Sequence, residues 1–133
     1  MGVASFLNEL TAWAATRPDI AAIALIGSHA RGTVQPRSDV DLVMLCSSVD
    51  ELLGGDWPTL FGEIESSSIE DYGALKSRRI FYRNGLVVEF GIAERSWAHV
   101  PLDSGTKSVL ADGARALYDP EQLVEVARRA AVA

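Results

Sequence analysis

Two short apolar runs constrain this chain more than anything else in it. They are Ile20-Ala21-Ala22-Ile23-Ala24-Leu25-Ile26 and the run led by two acids, Asp39-Val40-Asp41-Leu42-Val43-Met44-Leu45-Cys46. Each is bounded by turn residues and is short for a helix, so each reads as a buried strand. The polar segment between them opens on Gly27-Ser28 and closes on Asp39, so the second strand is led by two aspartates, Asp39 and Asp41. Strand side chains alternate, with a rise of about 3.3 Å per residue. Asp39 and Asp41 therefore share the face that continues as Val43 and Leu45, while Val40, Leu42 and Met44 take the other. Two carboxylates this close beside apolar surface repel each other and lose hydration. A divalent cation relieves both costs, and Mg²⁺ favours one or two carboxylates together with phosphate oxygens and water. For a bare Asp-x-Asp the plainer reading is a strand end in water; the turn before it shifts the balance.

The remaining periodicities predict a mixed architecture. Phe6, Leu7, Leu10, Trp13 and Ala14 recur at helical spacing, which predicts a helix over residues 5–16 with Ser5 as cap. Arg17-Pro18-Asp19 stops it, because the residue before proline is pushed out of helical conformation. Residues 28–32 can form one helical turn, and residues 33–38 a loop. Strand 39–46 follows, then a helix over 56–65 with Pro58 in its first turn. A short strand is expected at 69–72. Runs 75–82 and 86–92 flank Arg83-Asn84-Gly85, and Asn-Gly between apolar runs is a strong hairpin signal. Asp103 or Ser104 can cap a helix to about Ala111. Residues 114–119 read as a short edge strand, and Pro120 opens a last helix over 121–131. The expected fold is α+β, α/β-like in its first half: a small mixed sheet of about four to five strands packed against helices, in a single domain over residues 1–133.

Charge and composition exclude several classes. A formal net charge of −6 argues against broad binding to phosphate backbones, which needs clustered Lys and Arg. It does not exclude a nucleotide, since one loop can hold a triphosphate. No apolar run reaches the roughly 18–20 residues that span a bilayer. No basic segment precedes an apolar one in the first ten residues, so they do not read as a signal peptide. The one cysteine, Cys46, rules out an intramolecular disulfide. A cytoplasmic location is the expectation.

The chemistry-bearing residues gather around the two aspartates. A glycine after a strand allows a tight turn and a close ligand approach. If Ser28 opens a helical turn, its N–H groups and hydroxyl form an anion site at that end of the sheet. Arg31 can add a charge-assisted bond to phosphate, and Ser38 another hydroxyl. Glu89 lies mid-strand in Leu86-Val87-Val88-Glu89-Phe90-Gly91, where a carboxylate needs a partner. That partner is either the chemistry at Asp39 and Asp41 or an arginine such as Arg78 or Arg79. Gly91 leaves room beside it. His29 reads as a loop residue and His99 as surface.

The stretch from Gly27-Ser28 through Ala30-Arg31-Gly32 to Ser38-Asp39-Val40-Asp41-Leu42 resembles the signature of the DNA polymerase β-like nucleotidyltransferase superfamily. The likeness is strongest to its short bacterial branch, the minimal nucleotidyltransferases. It continues more loosely through the hairpin containing Glu89 and the Leu117-Tyr118-Asp119-Pro120 tail. The resemblance implies the nucleotidyltransferase fold, ATP or another nucleoside triphosphate as substrate, and two Mg²⁺ ions, with Mn²⁺ as a substitute. By position, Gly27, Ser28, Arg31 and Ser38 would bind the triphosphate, and Asp39, Asp41 and Glu89 would be the metal-binding catalytic carboxylates. The family often has aspartate where this chain has Glu89. Larger relatives carry extra domains for their acceptors. About forty residues follow Ile92 here, so the acceptor pocket would be open or completed by a second chain, as a homodimer or with a helical partner. Trp57, Trp97 and Tyr118 are either interface aromatics or ordinary packing.

Three functions remain in play. One is transfer of a nucleoside monophosphate, AMP from ATP, to a hydroxyl of a small molecule such as an antibiotic, with release of pyrophosphate. Another is an antitoxin that AMPylates or binds a partner toxin. The last is a nucleotide-binding interaction module without catalysis.

Overall fold

The computed structural model describes residues 2–35 and 39–133. Among them, six strands form one mixed sheet and five α-helices pack on it. The chain runs α1 (Val3–Ala14), β1 (Ile20–Ile26), α2 (Gly27–Arg31), β2 (Val40–Cys46) and α3 (Val49–Leu53). It continues through β3 (Ile64–Asp71), β4 (Lys76–Tyr82), β5 (Val87–Glu94), α4 (Ser104–Ala111), β6 (Ala114–Tyr118) and α5 (Leu123–Val132). The strand order is β3-β4-β5-β2-β1-β6. β2 and β5 lie parallel at the centre, and the other described neighbours pair antiparallel.

Strand alternation divides the core in two. Val40, Leu42 and Met44 of β2 join Val88, Phe90 and Ile92 of β5 under α1 and the aromatic cluster of Phe6, Trp57 and Phe61. On the opposite face Val43 and Leu45 pack with the alanines of β1 against Leu110 of α4 and Val124, Ala127 and Ala131 of α5. The face expected for Val43 and Leu45 is thus the α4–α5 face, and Asp41 lies on it.

The expected strands at β1 and β2, the Asn84-Gly85 hairpin and the edge position of β6 are all present. The hairpin closes through Tyr82 N–H to Leu86 O at 2.9 Å, and Gly85 takes φ +93°. Asp103 caps α4, accepting from the Thr106 N–H at 3.0 Å.

Several local expectations are corrected. Helix α1 starts at Val3 with Gly2 as its cap, which places Ser5 inside the first turn. Residues 56–65 are not a helix: a single 3₁₀ turn, Trp57–Phe61, carries Pro58 and ends at Gly62 with φ +153°. The chain then enters β3, which starts at Ile64 rather than near 69 and raises the strand count to six. Helix α3 was not expected. The last helix begins at Leu123, because Gln122 takes φ +58° and the Asp119 carboxylate accepts from the N–H groups of Val124 and Glu125 at 3.1 and 3.0 Å. Trp57 is buried; its ring stacks on Trp13 with centroids 5.0 Å apart, and its Nε1 donates to Leu52 O at 2.9 Å. Trp97 and Tyr118 are half-buried against the two cores.

Candidate active site

The central parallel pair sets the geometry. Asp41 on β2 stands in register with Ile26 on β1 on one side and with Glu89 on β5 on the other. Neighbouring strands lie about 4.8 Å apart, so the two carboxylates are immediate neighbours on one face. Asp39 precedes β2 by one residue and is on that face too. The sequence therefore brings Asp39, Asp41 and Glu89 together although nearly fifty residues separate the last two.

Burial pushes the Asp41 carboxyl up to about 6, and the charges of Glu89 and Asp39 push it the same way. The positive charges of Arg79 and His29 act against this without cancelling it. The charged form of Asp41 is thus disfavoured first by burial and then by its two acidic neighbours.

The other two acids are engaged by β4. Arg79 is the register partner of Glu89, yet its guanidinium forms an ion pair with Asp39. Its ring-stacking neighbour is Phe81, 5.4 Å from the guanidinium carbon, and its buried Nε has no hydrogen-bond partner. Ser77 Oγ donates to Glu89 Oε1 at 2.9 Å. As the side chains stand, no three Asp, Glu, His or Cys groups among the described residues close into an ion cage. The donor set still suits a divalent cation: three hard oxygen donors share one face with a single guanidinium.

Gly27 is fixed by the same geometry. It takes φ +71°, and a Cβ there would stand 2.6 Å from Asp41 Oδ2. The positive φ favours glycine there, and a side chain would also make the Asp41 carboxylate shift. Ser28 follows in the first turn of α2. Arg31, at the end of α2, is held by Asp112 through an ion pair of 2.6 Å, with its stem over Gly113. It is therefore turned to the α4–β6 connection and not gathered with the acids. Ser38 lies outside the described residues. His99 is exposed.

A cavity of about 200 Å³ adjoins the acids, with Asp41, Glu89 and Ser77 on one side and Tyr72 and Leu75 from the β3–β4 turn on the other. The room expected beside Gly91 is taken by Leu75, whose Cδ1 would be 3.2 Å from a Cβ at that position. A larger cleft of about 660 Å³ opens past the ends of β2 and β5, bordered by Asp50, Lys76, Glu94 and Trp97.

Two residues of this constellation escape a reading by motif. Ser77 carries no motif, and Arg79 was weighed only as a partner for Glu89. The signal was the hairpin: counting back from Asn84-Gly85 sets Arg79 opposite Glu89, and alternation then puts Ser77 on the same face. Arg78 points to the other face, where it donates to the carbonyls of Gly54 and Gly55 at 2.7 and 2.8 Å.

A family model described as "Polymerase beta, Nucleotidyltransferase" matches residues 8–70. The matched segment, a little under half of the chain, is thus similar to a polymerase β-like nucleotidyltransferase domain. The match takes in Gly27, Ser28, Asp39 and Asp41. Glu89 lies beyond it and is tied to the nucleotidyltransferase pattern by strand register alone. Among solved structures, an aminoglycoside 6-adenyltransferase from Bacillus subtilis is similar with a TM-score of 0.53 at 14% identity. The likeness covers 71% of this chain and 35% of that protein, and it shows the nucleotidyltransferase fold. No curated protein gives a significant match. No helix among the described residues is long and apolar enough to cross a membrane.

Proposed function

We propose that this chain is a metal-dependent nucleotidyltransferase that moves AMP from ATP to an acceptor hydroxyl. One observation carries the reading: Asp41 and Glu89 stand side by side on parallel strands, against the glycine turn that begins α2.

Asp39, Asp41 and Glu89 are the residues that would hold Mg²⁺ or Mn²⁺, which supplies charge neutralisation for the triphosphate and acidifies the acceptor hydroxyl. Gly27 and Ser28 offer backbone N–H groups and a hydroxyl to the phosphates. Ser38 would support them, and Arg31 would do so after leaving Asp112. The acceptor oxygen forms a bond to the α-phosphorus, the bond to the bridging oxygen of the β-phosphate breaks, and pyrophosphate departs. Glu89 takes the acceptor proton. Positioning and charge complementarity do the rest, as in other phosphoryl transfers.

The face beside the acids favours a second form of the reaction, transfer to a side chain of a partner protein. β3 is exposed along nearly its whole length and Tyr72 is 60% exposed, so among the described residues no helix covers the approach of a large acceptor there.

Incubation with α-labelled ATP, Mg²⁺ and candidate acceptors tests both. Label on a small hydroxylated molecule supports the first form, and label on a partner protein supports the second. A protein that binds neither ATP nor a divalent ion overturns the catalytic reading.

A further inference from the structure

Ser77 is an unusual residue for its place. It is 1% exposed, one of two fully buried polar side chains among the described residues. The other, Thr106, leaves its hydroxyl without a partner. A buried hydroxyl costs stability unless it is bonded, and alanine would fill the same space without that cost. Ser77 spends its hydroxyl on a single acceptor, Glu89 Oε1 at 2.9 Å.

The bond exists because of how β4 and β5 are matched. Ser77 is in register with Gly91 and not with Glu89. A side chain at 91 would stand between them, and none is tolerated there, since a Cβ would come 2.7 Å from Leu42 O. With Gly91 bare, Ser77 reaches diagonally along the face to Glu89. Leu75 closes the same spot from above, so the hydroxyl is shielded from water that would compete for it.

Glutamate has one more rotatable bond than aspartate, and a free arm of that length samples several positions for its carboxylate. We infer that Ser77 is a positioning residue that fixes the Glu89 carboxylate beside Asp41, taking Oε1 and leaving Oε2 for the cation. The inference rests on the nucleotidyltransferase reading above. Partners that orient a metal-binding carboxylate typically change metal affinity about ten- to a hundredfold when removed.

The test is Mn²⁺ titration in the presence of ATP, followed by calorimetry or electron paramagnetic resonance, on the intact chain. Ser77→Ala should weaken Mn²⁺ binding about tenfold, and Ser77→Thr, which keeps the hydroxyl, should restore it. Adding Ser77→Ala to Glu89→Ala should change nothing further, because the positioned group is already gone. Thermal melts of the metal-free variants check folding. Wild-type affinity in a folded Ser77→Ala variant overturns the inference and leaves the transferase reading standing. So does an equal loss on the Glu89→Ala background, which marks a general packing role. Absence of Mn²⁺ binding by the wild-type chain overturns the transferase reading itself, and this inference with it.

Discussion

Arg79 pairs with Asp39 across two strands, although the residue opposite it in register is Glu89. The guanidinium thus supplies positive charge to the acidic cluster. In the proposed metal site it and a divalent ion would compete for the same carboxylate. Both partners are partly exposed, so the ion pair is worth about 1 kcal/mol or less. We expect Arg79→Gln to tighten Mn²⁺ binding in the absence of nucleotide, by up to about fivefold on that scale. Metal titration of the two proteins checks it, and weaker binding in the variant would show that Arg79 supports the ion and does not compete with it.

The raised carboxyl of Asp41 gives the metal-free protein a definite pH dependence. Its ordinary value is 3.8 and its folded value about 6, so the folded state binds the proton more tightly than the unfolded chain does. The contribution is therefore fully present below about pH 4 and is lost as pH rises through about 6. A two-unit shift corresponds to about 2.7 kcal/mol at most, and partial exposure reduces this to roughly 1–2 kcal/mol. In chelator, urea unfolding should show wild-type stability falling from pH 4.5 to 7 relative to Asp41→Asn. The variant should be the more stable of the two at pH 7 and inactive in transfer. Parallel curves for the two proteins would remove Asp41 as the source.

How far the sequence reveals this arrangement depends on where burial leaves a pattern. β1 and β2 are buried on both faces and show as apolar runs, and the acids at the head of β2 stand out against them. β3 has no buried face for most of its length, so Glu65 to Asp71 carry no alternation and only the pairing with β4 makes them a strand. The same limit applies to the site. Asp39 and Asp41 lie two residues apart at the head of β2 and are visible as a spacing. Ser77 and Arg79 meet the acids only through the register of two hairpin strands, and which acid each one engages is decided by side-chain reach. Arg31 shows the converse: its spacing from Ser28 suggests phosphate, while Asp112, far along the chain, holds it elsewhere.

Gly27 joins backbone conformation to site chemistry. At φ +71° any L-residue is strained by about 1 kcal/mol or more. A methyl group would also press on Asp41 Oδ2. Gly27→Ala should lower stability by about 1–2 kcal/mol and displace the Asp41 carboxylate, so that ATP and Mn²⁺ binding weaken together. Chemical denaturation and metal titration on the same preparation measure the two effects. Loss of stability with intact binding would separate the turn from the site.

Glu89 offers the sharpest division between binding and chemistry. Its carboxylate neighbours Asp41, and in the proposed reaction it would take the acceptor proton while the turn at Gly27 and Ser28 would hold the phosphates. Glu89→Gln keeps the shape and can still accept from Ser77, but it removes the charge and most of the basicity. We expect turnover to fall at least a hundredfold, in line with loss of a general base. The KM for ATP should stay within about threefold, because an interaction made mainly in the transition state lowers kcat and not ground-state binding. Steady-state kinetics with ATP as the varied substrate make the comparison. A KM that rises with kcat unchanged would move Glu89 from the chemical step to nucleotide binding, and unchanged kinetics would leave it a structural partner of Ser77.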